Sequence, residues 1–451
     1  MNPKSMKRQA ATLKGLKRRV QDLYLERVGD PRVAKKTTYP LTTLLTALIA
    51  GMVTMAQSLR KVEERTGQIA YKQQKWLSMH KRIADNTFGK VLPRLLITDL
   101  VGRLHSMVKA EHRRGNLKPT VLPVGTVAID GKNVATLRWH DLCRVLQLER
   151  NTARPDEVKA LLMERYPAVQ FCIPKQGEPY ALARVHTVTQ ISSQAALCIH
   201  QRPTLGHTNE IGSMPQLLEE LYTAYGRSGL FKMVTTDAGN TSLLVADKII
   251  DQGWDYFLQI KSEHGKLYSE AVRTLGSKAE AKADFSQVDQ QNGKLISYHL
   301  WQYDQSEQGY LKWTHARQLV RVQRTVEDPH TGQKTFGTRF YVCNRTGKEL
   351  RAKRCLKTSR AHWRCEDEMH WTADTQLNED RRRLAWSRHP NGVFVVSVLR
   401  MIALNILAVA RKLSRLGYSL EVPTWQQVAE HFLLVLCGSI LNTDAFDAEI
   451  N

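Results

Sequence analysis

The order of elements between residues 126 and 260 restricts the fold more than any other feature of this chain. Thr126-Val-Ala-Ile-Asp130 is a short apolar run that ends on an acid and is followed by Gly131. Two strand candidates, Tyr180 to Ile191 and Gln194 to His200, lie on either side of a polar Ser-Ser pair and read as a hairpin. A helix over 209–225, a strand over 231–237, a helix over 241–252 and a strand over 256–260 complete the series. Strand, hairpin, helix, strand, helix, strand is the signature of an α/β sheet. Ligands and metals gather at the carboxyl ends of strands in such sheets, which is where the series puts Asp130 and Asp237.

The flanks differ in texture. Leu41, Leu44, Leu45, Leu48 and Met52 repeat at helical spacing, and a second run from Phe88 to Val108 does the same, with Asp85 or Asn86 as its candidate cap. From Ala283 to Asn344 the period changes to two, with strands near 295–303, 316–326 and 338–342. Helical patterns return over 357–377 and 392–413. The expected organisation is a basic arm (1–36), an all-α domain (37–120), an α/β domain (121–420) with a β insertion at about 275–345, and a helical tail (421–451).

Charge narrows the function. The chain has 66 Lys and Arg against 43 Asp and Glu, a formal charge of +23. Such an excess draws polyanions and gives sequence-independent affinity for phosphate backbones. Residues 1–36 alone hold eleven basic residues and three acids. The seven cysteines lack any zinc-ligand spacing, which reads as reduced thiols in a cytosol. No apolar signal core follows the basic N-terminal residues, and the apolar stretches 41–56 and 393–410 read as buried helices. The expectation is a soluble, cytoplasmic, nucleic-acid-binding protein with no membrane partner.

Three acids carry the chemistry. Divalent-metal phosphoryl transfer needs hard oxygen ligands, and carboxylates from separate strands and helices supply them once the fold unites them. Asp130, Asp237 and Glu366 are 107 and 129 residues apart, so only tertiary structure could do so. Singly, each has an ordinary use: Asp-Gly as a turn, Asp237 as a helix cap, Glu366 as a solvated helical residue beside Asp367 and Glu368. Glu366 gains weight from Lys353, Lys357, Arg360 and Arg364, which recur on one helical face and suit a phosphate backbone. His362, Glu366 and His370 at intervals of four could instead bind zinc, and Trp301 and Trp313 could stack on a base or fill a core.

Val-Ala-Ile-Asp130-Gly-Lys132, Thr235-Thr-Asp237-Ala and His362-Trp-Arg-Cys-Glu366-Asp-Glu-Met-His370-Trp-Thr-Ala-Asp374 resemble the three acidic motifs of DDE transposases from bacterial insertion sequences. The closest branch carries a β insertion between the second Asp and the Glu. His207-Thr-Asn-Glu210-Ile, Gly253-Trp-Asp-Tyr256 with Lys261, Asn378-Glu-Asp380-Arg and Arg400-Met-Ile-Ala-Leu-Asn405 extend the resemblance over about residues 80 to 412. No single motif is decisive, but their order and spacing together are specific. The chain departs from related branches where His362 occupies an Arg position and Ala373 a Lys position.

The resemblance implies an RNase H-like core with Mg²⁺ or Mn²⁺ held by Asp130, Asp237 and Glu366. It implies hydrolysis at the element's ends and attack of the freed 3′-hydroxyl on target DNA, by a homo-oligomer assembled on DNA. Lys132, Lys261, Lys353, Lys357, Arg360, His362 and Arg364 are the expected DNA-binding residues. The alternatives are a related metal-dependent nuclease and a catalytically silent, domesticated DNA-binding protein.

Overall fold

The computed structural model describes residues 13–208, 210–305, 311–313, 315–379, 387–413 and 422–438. The first twelve residues of the expected basic arm, Asn209, Asp380-Arg381 and the end of the expected tail (439–451) lie outside the described residues. Residues 13–21 are helical (α1) and five helices follow: α2 (Leu41–Val53), α3 (Leu59–Gln68), α4 (Tyr71–Trp76), α5 (Asp85–Val91) and α6 (Ile97–Arg113). Almost every residue of α2 is buried, so it forms the middle of a helical layer. The run expected from Phe88 to Val108 is two helices, because Pro93 sits in a 3-10 turn at 92–94. Proline has no N–H to continue an α-helical ladder. Asp85 is the first residue of α5 and Ala84 its cap position.

Ten strands form one sheet among the described residues. After β1 (Thr126–Arg138) come α7 (Trp139–Leu146), α8 (Pro155–Arg165), β2 (Val169–Cys172), β3 (Tyr180–Gln190), β4 (Leu197–Pro203) and α9 (Glu210–Tyr225). Then follow β5 (Met233–Thr236), α10 (Leu243–Asp251), β6 (Asp255–Ile260) and α11 (Gly265–Leu275). A meander of β7 (Phe285–Gln291), β8 (Lys294–Asp304), β9 (Gln318–Glu327) and β10 (Lys334–Cys343) leads to α12 (Ala352–His362). A π-helical turn (Cys365–His370), α13 (Trp371–Leu377), α14 (Pro390–Leu413) and α15 (Trp425–Leu436) end the described chain.

The strand order is β2-β3-β1-β5-β6-β10-β9-β8-β7, with β4 also on β3. Pairs β1–β5 and β5–β6 are parallel and the remaining pairs antiparallel. The late β segment therefore extends the central sheet, since β10 pairs with β6 from Phe340↔Ile260 to Cys343↔Phe257. Trp301 is buried there, with its indole N–H on the Ala279 carbonyl at 3.2 Å and the Arg321 guanidinium 4.3 Å from its ring centre. That is a core role rather than a base-stacking one.

One apolar core runs from Leu16 through the sheet and α14 to Leu436. Helix α14 is long and apolar enough to cross a membrane, and the whole of its apolar window is buried inside the protein. It packs on α2, α6, β4 and α15, so the N-terminal helices, the sheet and the last helices share it as a common wall.

Candidate active site

The register of β1 and β5 builds the site. Their parallel pairing ends at Ile129↔Thr236, and Asp130 and Asp237 are the next residue on each strand. Neighbouring strands lie about 4.8 Å apart, so the backbone delivers the two acids side by side. Asp130 does not end its strand, however. β1 runs on to Arg138 against β3, and Gly131 pairs with His186 instead of making the turn that Asp-Gly suggests.

Asp130 accepts the Gly131 N–H at 2.9 Å on one oxygen, and His370 Nδ1 lies 3.2 Å from the other. Burial raises its pKa, but the His370 hydrogen bond, the charges of His370 and His362 and the Gly131 N–H outweigh burial. The carboxyl is held below its ordinary value. Asp237 caps the 3-10 turn at 238–240, accepting the N–H groups of Gly239 at 3.2 Å and Asn240 at 3.1 Å, and Asn240 Nδ2 at 2.8 Å. The Asn240 amide oxygen faces His186 Nε2 at 3.1 Å, so a buried His-Asn pair orients the second acid.

Glu366 arrives on the π-helical turn, whose wider winding separates α12 from α13. Three anchors fix this segment across the strands. His362 Nδ1 lies 2.9 Å from Thr235 Oγ1, Cys365 packs with Ala128 and Ile191, and Arg364 donates to the carbonyls of Ile191, Ser193 (2.8 Å) and Gln194 (3.0 Å). Glu366 itself is exposed. Its pKa is raised, first by partial desolvation and next by the Asp130 charge, with Asp367 and Asp237 adding to it against His370.

A fourth acid belongs to the group. The Glu210 carboxylate lies over Gly131, where a Cβ would come within 2.5 Å of it. It accepts a hydrogen bond from Asn240, and its pKa is raised by burial and then by the charges of Asp237 and Asp130. Its signal in the sequence was its place in His207-Thr-Asn-Glu210, whereas nothing about a lone His186 or Asn240 in apolar surroundings marked them.

The donor set is hard oxygen throughout, and the charges of Asp130 and Asp237 help raise the pKa of Glu366 and Glu210, a crowding of negative charge that a divalent cation relieves, so the residues fit Mg²⁺ or Mn²⁺ chemically. Among the described residues no three His, Cys, Asp or Glu side chains converge as a ready metal cage. That holds also for His362, Glu366 and His370, whose two imidazoles are turned to Thr235 and Asp130.

The expected DNA-binding residues divide into two groups. Lys261, Lys353, Lys357 and Arg360 are exposed. Lys261 follows β6 at the same end of the parallel strands as Asp237, and the turn it begins is tied to Thr241 O by His264 Nε2 at 3.1 Å. Arg360 lies 4.6 Å over the Tyr298 ring and pairs with Asp289 at 2.8 Å. It borders a cavity of about 490 Å³ lined also by Arg324, Arg339, Tyr298 and Trp363. Lys132, His362 and Arg364 point inward. Lys132 Nζ donates to His370 O at 3.1 Å, Asp374 at 2.7 Å and Glu379 at 2.9 Å.

Residues 173–406 match the family described as the transposase DDE domain, a stretch that holds Asp237 and Glu366 and begins after Asp130. The chain is 26% identical over 233 residues to YncI of Escherichia coli O157:H7, provisionally named a transposase, covering 49% of this chain and 56% of that protein. It is 26% identical over 231 residues to YhhI of Escherichia coli K12, provisionally named an H repeat-associated transposase, covering 49% and 58%. The chain thus spans little more than half the length of the curated relatives it matches. The piggyBac transposase synaptic complex with hairpin DNA aligns over 98% of this chain and 84% of that one, at 11% identity and a TM-score of 0.41.

Proposed function

This chain belongs to the transposase DDE-domain family of insertion sequences, and from that premise we propose that it hydrolyses DNA at the element's ends and joins the freed 3′-hydroxyl to target DNA. The observation that carries this reading is the β1–β5 register, which puts Asp130 beside Asp237, with Glu366 close enough to Asp130 to feel its charge. We read the fold as an RNase H-like core with a β insertion at about 275–345; the parallel trio β1, β5 and β6 beside antiparallel β3 and β4 supports it. On this reading residues 37–120 bind DNA, 121–420 catalyse and 421–451 form a tail. Joining two ends calls for a homo-oligomer on DNA in the bacterial cytoplasm.

Asp130, Asp237 and Glu366 would hold Mg²⁺ or Mn²⁺, which when bound as a pair supplies Lewis acidity to the phosphate and a more acidic attacking oxygen. The protein's own groups prepare that site. His370 keeps Asp130 ionised, and Asn240 holds Asp237 in one orientation. Lys261, Lys353, Lys357 and Arg360 are assigned to the phosphate backbone, where charge and exposure suit them. Lys132, His362 and Arg364 are assigned to positioning, because their polar atoms are engaged inside the protein.

The test is a labelled duplex carrying the element's own ends, incubated with Mg²⁺, Mn²⁺ or Ca²⁺. The expected result is 3′ cutting and joining with Mg²⁺ or Mn²⁺. Cutting without joining would make the protein a nuclease, and binding without chemistry in any metal would make it a silent DNA-binding descendant. A finer test is Gly131→Ala, whose methyl group must displace the flexible Glu210 carboxylate. We expect a folded protein with cleavage reduced by roughly 10- to 100-fold, the scale of a misplaced group in an active site. Unchanged cleavage would remove Glu210 from the machinery.

A further inference from the structure

The segment around residues 32–39 and helix α5 enclose a cavity of about 550 Å³ far along the chain from the acidic site. Arg32, Lys81, Arg82, Lys90 and Arg94 all line it, and no acidic side chain does. Three of these cations are already fixed. Arg32 is bidentate on Asp30 and donates to Tyr39 O at 2.9 Å, Arg82 pairs with Glu63 at 3.0 Å, and Arg94 donates to Pro31 O. Lys81 and Lys90 are exposed, and neither ammonium has an ion pair or hydrogen bond among the described residues.

The lining is rich in cationic donors, and three of the carbonyls beside them are already occupied. The carbonyls of Pro31, Tyr39 and Lys81 are taken by Arg94, Arg32 and the Tyr39 hydroxyl, the last at 3.0 Å. Phosphodiester oxygens only accept hydrogen bonds, whereas base edges present donors and acceptors together. We propose that this cavity grips the phosphate backbone of duplex DNA without reading its bases, resting on the reading of the chain as a DNA-acting protein.

Its placement gives the grip a purpose. Asn391, at the start of α14, donates through Nδ2 to Pro93 O at 2.8 Å and Leu95 O at 2.9 Å, so the cavity's α5 wall is fastened to the core helix. Nine residues further, about 14 Å along a helix, Arg400 bonds Glu379 at 3.2 Å, which in turn holds Lys132, two residues beyond Asp130. A backbone held in the cavity is therefore held at a fixed distance from the acids.

The experiment is binding of the full chain to two unrelated 30-base-pair duplexes across a salt series, for wild type, Lys81→Gln/Lys90→Gln and the exposed control pair Lys159→Gln/Lys175→Gln. Each lost phosphate contact removes about 0.9 from the slope of log K against log salt, so the cavity pair should flatten it by about 1.8. We expect about tenfold weaker binding at low salt on both duplexes, and a smaller change for the control pair. Equal changes in the two pairs, or none, would overturn the proposal and leave the transposase reading standing. A loss confined to one duplex would overturn it in favour of base reading. No salt-dependent binding by wild type would overturn both.

Discussion

Glu366→Gln is expected to lower metal-dependent strand cleavage by about 10³-fold or more while DNA affinity stays within about threefold of wild type. The substitution keeps size and hydrogen-bonding capacity but removes the charge that a hard cation requires. Because Glu366 is exposed, the change should leave thermal stability almost untouched, and loss of activity cannot then be a loss of fold. Its neighbours provide the control. Glu368 pairs with Arg364 at 2.7 Å, and Asp367 lines the cavity beside Trp363. Asp367→Asn should therefore keep most of the activity. Cleavage assays on the element's ends, alongside binding in Ca²⁺, measure both quantities. An active Glu366→Gln would move the third ligand to another acid, with Glu210 the first candidate. Asp130→Ala and Asp237→Ala should be as silent as Glu366→Gln. Asp237→Ala also strips the cap from the 238–240 turn, at a cost of about 1 kcal/mol.

Much of this arrangement is legible in the chain because the apolar runs are short and well punctuated. The hairpin, α9, β5, α10 and β6 fall within a few residues of their expected bounds, and Asp237 directly follows the last residue of β5, Thr236. What is illegible follows from tertiary context. Asp130-Gly131 reads as a turn, yet β3 lies alongside and carries the strand through, because Gly131 leaves room for Glu210. β7 escapes notice because it is a polar edge strand whose burial alternates weakly. The stripe ending at Arg364 assumes one regular helix, but α12 ends at His362 with a turn at Trp363, and Arg364, just before the π turn, points inward to satisfy the carbonyls left after β3. Lys132 looks like a surface cation in its motif, and only its partners from residues 374 and 379 reveal that it is internal.

That internal charge leads to the second large effect. Lys132, Asp374, Glu379 and Arg400 form a buried network joining β1, α13 and α14 directly behind the acidic site. Glu379 is wholly buried; burial alone would raise its pKa, but Lys132 and Arg400 pull it down to about 2. Lys132→Met keeps the aliphatic bulk and leaves Glu379 short of a partner, so the expected loss of stability is about 3–5 kcal/mol in denaturant unfolding. The double variant Lys132→Met/Glu379→Leu should recover part of this, because the orphaned charge is then gone. Activity should fall in both, since Lys132 also holds the His370 carbonyl and His370 holds Asp130. The pH dependence has a definite sign. A carboxyl depressed in the folded state contributes stability above its ordinary value near 4.5, and loses it as pH falls towards about 2. Wild type should therefore weaken steeply across that window, and Glu379→Gln, though less stable at neutral pH, should show a shallower acid limb. An acid limb of equal slope in the two proteins would mean that Glu379 keeps no special charge in the fold, and the network would then owe its role to packing alone.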